Sequence, residues 1–228
     1  MSRFAIALSL IASLSTAALA DRAVVPSQGM PAPMKFAEAP ASELPISVSV
    51  RLDRAAIRAK LAKNRAANLA RFRIYQKKGV FPNNTYTDGK LNVWLDQFGN
   101  FCAAATIIKL SGNTGLVQRT AEQNNFIRLA DVTQGALMDW ILTSGLTQAE
   151  IAAIQEPMMP VMREPVMEPE PDQPLLVDAR MRRAEDRRLM RKYKQVDAQI
   201  VKATKKSLDA ATDRLLANPD LAMKFLAS

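Results

Sequence analysis

Cys102 is the first residue to weigh for chemistry, being the single cysteine of the 228-residue chain, set in Phe101-Cys102-Ala103-Ala104-Ala105. If a helix begins there, its free N–H groups and macrodipole favour a thiolate, which is how many reactive thiols are made. Asp96, Glu122 and Asp131 are the acids that would serve as base or orienting group. The chain has no histidine, however. Ser-His-Asp and Cys-His machinery is therefore excluded, and the commonest zinc ligand is missing. A lone cysteine beside phenylalanine and three alanines is expected to be a small buried hydrophobe. No residue is assigned as catalytic, and Cys102 remains the one candidate for a thiol-dependent enzyme.

Carboxylate chemistry has less to build on. Asp131 and Asp139 stand eight apart, about two turns if one helix runs through both, so they would share a face. Paired acids of that kind do glycoside hydrolysis, but no motif accompanies them here. Asn83-Asn84-Thr85 is a formal glycosylation sequon. There is no Gly-rich phosphate loop, EF-hand spacing or dinucleotide fingerprint, and neither metal nor cofactor is expected.

Charge points to binding instead. Thirty-one Lys and Arg against 22 Asp and Glu give a formal net charge of +9, unevenly placed. Residues 50–79 hold ten cations against one acid, and residues 175–228 hold thirteen against seven. Residues 80–155, with four against six, and 156–174, with one against five, are neutral to acidic. In the C-terminal block Arg180, Arg182, Arg183, Arg187, Arg188, Arg191 and Lys192 crowd one short stretch and form the candidate anion-binding set. Exposed helix faces are ordinarily charged, so a solvated face is the simpler account of each basic stretch. No aromatic residue is interleaved among these arginines, so sequence-specific nucleic-acid reading is not expected.

The elements that must position these residues are mainly helical. Arg51 to Lys78 lacks proline and glycine and is rich in Ala, Leu, Arg and Lys, with Ile57, Leu61, Leu69 and Phe72 near one face and Gly79 as the stop. Leu91, Val93 and Leu95 alternate as in a short strand, and Asp96 to Gly99 reads as a tight turn after it. Cys102 to Ser111, Thr114 to Gln123 and Gly135 to Ser144 read as short helices, and Thr147-Gln148-Ala149-Glu150 is a capping box that opens another. Trp94 and Trp140 are expected to be core anchors. Leu175 to Ala217 reads as one long helix or a helical hairpin, with Leu189, Tyr193, Val196, Ile200 and Ala203 stepping three and four. Leu208, Ala211 and Leu215 continue that stripe after one slip. The expected fold is a small, mainly α domain with a short β-hairpin or strand, plus a separate long C-terminal amphipathic helix.

The ends and joints follow from composition. Met1-Ser2-Arg3, the apolar run Phe4 to Leu14 and Ala18-Leu19-Ala20 read as a signal peptide, residues 1–20, cleaved after Ala20. An exported chain, periplasmic or extracellular, normally permits disulfides, yet one cysteine allows no internal bridge, so stability must come from packing. Residues 21–49 read as a Pro/Ala-rich disordered segment, 50–155 as the compact helical domain, 156–174 as an acidic Pro-rich linker, and 175–228 as the basic amphipathic segment.

Tyr75, Gly79, Phe81-Pro82-Asn83, Asp96-x-x-Gly99-x-x-Cys102-Ala103, Asp139-Trp140, Ser144-Gly145-Leu146-Thr147 and Ile154-Gln155 come in an order that resembles an uncharacterised exported bacterial domain family. The resemblance covers about residues 65–157. The chain departs from the family pattern at Ala104-Ala105, where a glycine-containing step is usual, and at Glu156-Pro157-Met158, where a proline-aromatic ending is. The resemblance implies a domain boundary and bears on the fold, and it brings no reaction with it.

Together these observations lead to the expectation of an exported, non-catalytic interaction or envelope-associated protein. Binding of an anionic envelope polymer or lipid through the basic helices is the first alternative, and thiol chemistry at Cys102 the second. The apolar stripe over 189–215 is expected to pack on protein: the chain's own central domain, another protein, or a second copy as a coiled coil. Docking on an anionic polymer or membrane surface is the further possibility.

Overall fold

The long basic segment after residue 50 forms one helix, α1, Arg54–Lys78, 25 residues and about 37 Å long. The Asp53 carboxylate starts it by accepting from the N–H groups of Ala55 and Ala56. Gly79 ends it in the left-handed conformation, φ 64, where its N–H reaches the Tyr75 carbonyl. The computed structural model describes residues 52–162 and 177–228, and all of these lie in one compact unit, Ser49–Ser228. Eight α-helices are present among the described residues: α1, α2 (Ala103–Leu110), α3 (Thr114–Gln123), α4 (Ala136–Thr143), α5 (Gln148–Ile154), α6 (Ala179–Lys202), α7 (Thr204–Leu216) and α8 (Pro219–Ala227). A 3-10 turn, Leu129–Asp131, lies between α3 and α4.

Helix α1 is the spine. Its buried positions Ile57, Leu61, Arg65, Asn68, Phe72 and Tyr75 step by three and four, and α2, α6, α7 and α8 all pack on it. The end of α6 and all of α7 run antiparallel along it, tied by ion pairs Arg73–Asp197, Arg58–Asp209 and Arg54–Asp213. Towards the C-terminal end of α1, Phe72, Tyr75, Phe81 and Tyr193 form an aromatic cluster with ring centroids 5.4–5.8 Å apart, two of the four contacts edge to face and two tilted. Trp94 is fully buried and donates to the Val117 carbonyl at 3.0 Å. Trp140 is buried too, its N–H on the Ser111 hydroxyl at 2.9 Å. Both tryptophans thus anchor the core while keeping their one donor satisfied.

The turn from α4 to α5 presses against α1. Gly145 has φ 77, and a Cβ there would stand 2.1 Å from the Leu61 carbonyl oxygen and 2.7 Å from the Arg65 nitrogen. Only glycine lets the two backbones meet this closely. The contact is polar as well: Asn64, Arg65 and Asn68 donate to the carbonyls of Thr143, Gly145 and Ser144 in turn. Side chains of α1 therefore satisfy the acceptors that the end of α4 leaves open.

The mainly helical expectation holds, with two corrections. The expected strand or hairpin over Leu91–Leu95 is absent among the described residues; three isolated bridges stand in its place, Leu91 with Met158, Leu95 with Phe101 and Asn84 with Pro160. The reason lies in where the backbone donors go. Leu91 bonds Met158, Trp94 and Leu95 bond Asn125, and Asp96 bonds Asn100, so successive residues meet different loops and no neighbouring strand. Second, the C-terminal segment is neither separate nor one helix. The slip in its apolar stripe is a break at Ala203, and Leu189, Tyr193, Val196, Ile200, Leu208, Ala211 and Leu215 are all buried in the common core.

Covering that stripe with α1, α4 and α5 removes about 1.5–3 kcal/mol of exposure per large side chain, which is why the segment folds back. The surface expected to meet another protein or a second copy as a coiled coil is thus covered by the chain itself. The first residues of the expected linker also belong to the body: Met158, Val161 and Met162 are buried, and Val161 bonds Asn84 and Asp178. The expected signal peptide, the Pro/Ala-rich segment to residue 49 and the linker from 163 onward lie outside the described residues.

Candidate functional site

The seven cations proposed to bind anions sit on α6, and the helix divides them. Leu189, Tyr193, Val196 and Ile200 set the inward side. At 3.6 residues per turn, Arg182 falls on that side and Arg188 and Lys192 on its border. Arg182 donates to the Asn83 side-chain oxygen at 2.5 Å and the Phe81 carbonyl at 2.8 Å, and pairs with Asp186. Arg188 grips Glu185 and Glu156 and donates to the Pro157 carbonyl. Hydrogen bonding to Glu185, more than its partial burial opposes, holds its guanidinium far above the ordinary arginine range. Lys192 stands 3.7 Å from Glu156. These three hold α6 to the body, and their charge is neutralised there.

Arg180, Arg183, Arg187 and Arg191 face the other way. All four are exposed, and their side chains make no hydrogen bond or ion pair among the described residues. Lys194 continues the row, and Lys202 stands further along, both exposed. Steps of three and four place Arg180 to Lys194 within roughly 80° of helical arc and about 21 Å of axis. The nearest acids of α6 are engaged elsewhere: Glu185 with Arg188, Asp186 with Arg182, and Asp197 with Arg73. What results is a straight, single-sign row of guanidinium groups one turn apart, on a helix whose far side is fixed. Such a row suits successive anionic groups of an extended polymer, because the arginine fork pairs with carboxylate, sulfate or phosphate in a bidentate manner.

Cys102 does start a helix, as the cap of α2, where its sulfur accepts from the Ala105 N–H at 3.4 Å. It is nonetheless fully buried. Burial pushes its thiol up to about 12, overriding the helix N–H groups that draw it down. Of the acids considered beside it, Asp96 is committed to a loop, accepting from the backbone of Asn83, Phe98 and Asn100. Glu122 and Asp131 are exposed. Asp131 and Asp139 do not share a helix: the first closes the 3-10 turn beside Arg128, and the second lies on α4 beyond Gly135. Asn83 of the sequon is buried, its side chain held between Asp96 and Arg182.

Sequence reasoning missed Arg65. Among the nine cations of α1 it is the one that is buried, and it forms a two-pronged pair with Glu150 at 2.7 and 2.8 Å. The signal available was its place in the apolar stripe, four residues after Leu61 and four before Leu69. Among the described residues no helix is long and apolar enough to cross a membrane, and no three acid or cysteine side chains gather as metal ligands. No protein-family model matches the chain, nor does any curated protein or any solved structure.

Proposed function

We propose that the chain is an exported, non-catalytic binding protein of the cell envelope that holds a linear anionic polymer along the exposed row of α6. The observation that carries the reading is the division of the arginines: Arg182 and Arg188 are paired inward, whereas Arg180, Arg183, Arg187 and Arg191 stand aligned and, among the described residues, unpaired. Export is supported by the charged head, short apolar run and Ala18-Leu19-Ala20 pattern at the N-terminus. A buried thiol pushed up to about 12, in a chain without histidine, favours binding over thiol chemistry. A polymer is preferred to a lipid surface because the apolar side of α6 is buried in the core, leaving little to insert between lipids.

The test is a salt series. Single-stranded oligothymidylate serves as a plain linear polyanion and phosphatidylglycerol vesicles as the lipid. Five engaged cations predict a slope of log affinity against log salt of about −3.5 for the single strand. Replacing Arg183, Arg187 and Arg191 by Glu should reduce that slope by about two. Equal binding by the triple variant sinks the assignment, and vesicle binding without polymer binding moves it to lipid.

A further inference from the structure

A second surface differs in chemistry from the α6 row. Between the last turns of α1, the loop 99–101 and the end of α2 lies a cleft of about 290 Å³. Its walls carry Ile74, Val80, Phe101 and Leu110. Ile74 is 61% exposed, Leu110 49% and Val80 39%. Three of the large hydrophobic side chains left in water thus gather at one place, which single scattered residues do not explain. Elsewhere Tyr86 and Phe126, also exposed, at least cover each other at 5.0 Å.

The cleft is also electrically one-sided. Lys78 and Lys109 line it, and among the described residues no acid does. Lys109 lies over the Phe101 ring, its ammonium 4.7 Å from the centroid, and Lys78 has no ion pair among the described residues. An apolar floor between two cations calls for a ligand that is apolar and anionic within a few ångströms. The volume admits two or three side chains, which is less than a helix or a stable dimer face would need.

We propose that this cleft docks an acidic peptide of a partner protein, with aliphatic side chains against Ile74, Val80 and Leu110 and carboxylates at Lys78 and Lys109. The sites are complementary in both respects: charge fixes the direction of the peptide, and the apolar contacts supply the affinity.

The experiment is fluorescence anisotropy on the full chain with a labelled hexapeptide of alternating leucine and glutamate. Two control peptides replace glutamate by lysine or leucine by serine. Saturable binding is expected for the first peptide alone. The double variant Lys78→Glu, Lys109→Glu and the single variant Ile74→Asp should each weaken it about tenfold or more. All three positions are exposed, so circular dichroism should show an unchanged fold. Absence of binding, equal binding by the lysine peptide, or undiminished binding by both variants overturns the proposal. So does a concentration-dependent dimer that Ile74→Asp abolishes, since that places a second copy in the cleft.

Discussion

Arg65 and Glu150, 85 residues apart in the chain, meet through two parallel hydrogen bonds of 2.7 and 2.8 Å, the Arg65 side chain only 3% and the Glu150 side chain 11% exposed. Glu150 is at the same time the closing member of the capping box of α5, accepting from the Thr147 N–H, and it accepts from the Ser207 hydroxyl of α7. Arg65 donates onward to the carbonyls of Gly145 and Ile200. One ion pair therefore joins α1, α5, α6 and α7 at a single point.

Removing one partner leaves the other buried and uncompensated, which typically costs about 3–5 kcal/mol. Arg65→Ala and Glu150→Ala should each lower the unfolding free energy read from a urea titration by an amount of that order. Arg58→Ala, which breaks the exposed pair with Asp209, should cost no more than about 1 kcal/mol. Equal losses from the buried and exposed pairs would show that the junction does not concentrate stability.

The same carboxylate gives the fold an acid limb. Burial pushes Glu150 up, but Arg65, the Thr147 N–H and Ser207 together outweigh it and hold the group below its ordinary value of 4.5. A depressed folded-state pKa adds stability above the unfolded value, and that stability disappears as pH falls through the folded one. Melting temperature should therefore drop as pH goes from about 5 downward, and Glu150→Gln should flatten this part of the profile. An unchanged acid limb in the variant would refute the linkage.

Gly145 is the residue with no substitute. Alanine there meets the Leu61 carbonyl at 2.1 Å and takes a left-handed backbone, so Gly145→Ala should unfold the chain at least partly at room temperature. Gly112→Ala shares the positive φ but has nothing within 4 Å, and should cost only about 1–2 kcal/mol. Thermal denaturation of the two variants side by side separates backbone strain from the collision.

Cys102 should react with iodoacetamide only when the chain opens. With the thiol fully buried and pushed up to about 12, modification near neutral pH should follow the unfolding equilibrium and accelerate with urea. Fast modification of the native protein with a midpoint near 7 would restore the enzyme reading.

Local chemistry is what the amino-acid order determined without help. The course of α1, its Gly79 stop, the Thr147–Glu150 capping box and the slip that became the Ala203 break all rest on interactions within a few residues. Tertiary structure decided the rest, because the deciding partner was distant in each case. Leu91 to Leu95 alternates like a strand but finds only loops to bond. The stripe of α6 and α7 says that it must be covered, not by what. Arg65 looks like any other cation until Glu150 arrives, and Arg182 and Arg188 look like their exposed neighbours until Asn83 and Glu156 do. A side chain's period along a helix is local, but whether its charge is neutralised depends on what the fold sets against it.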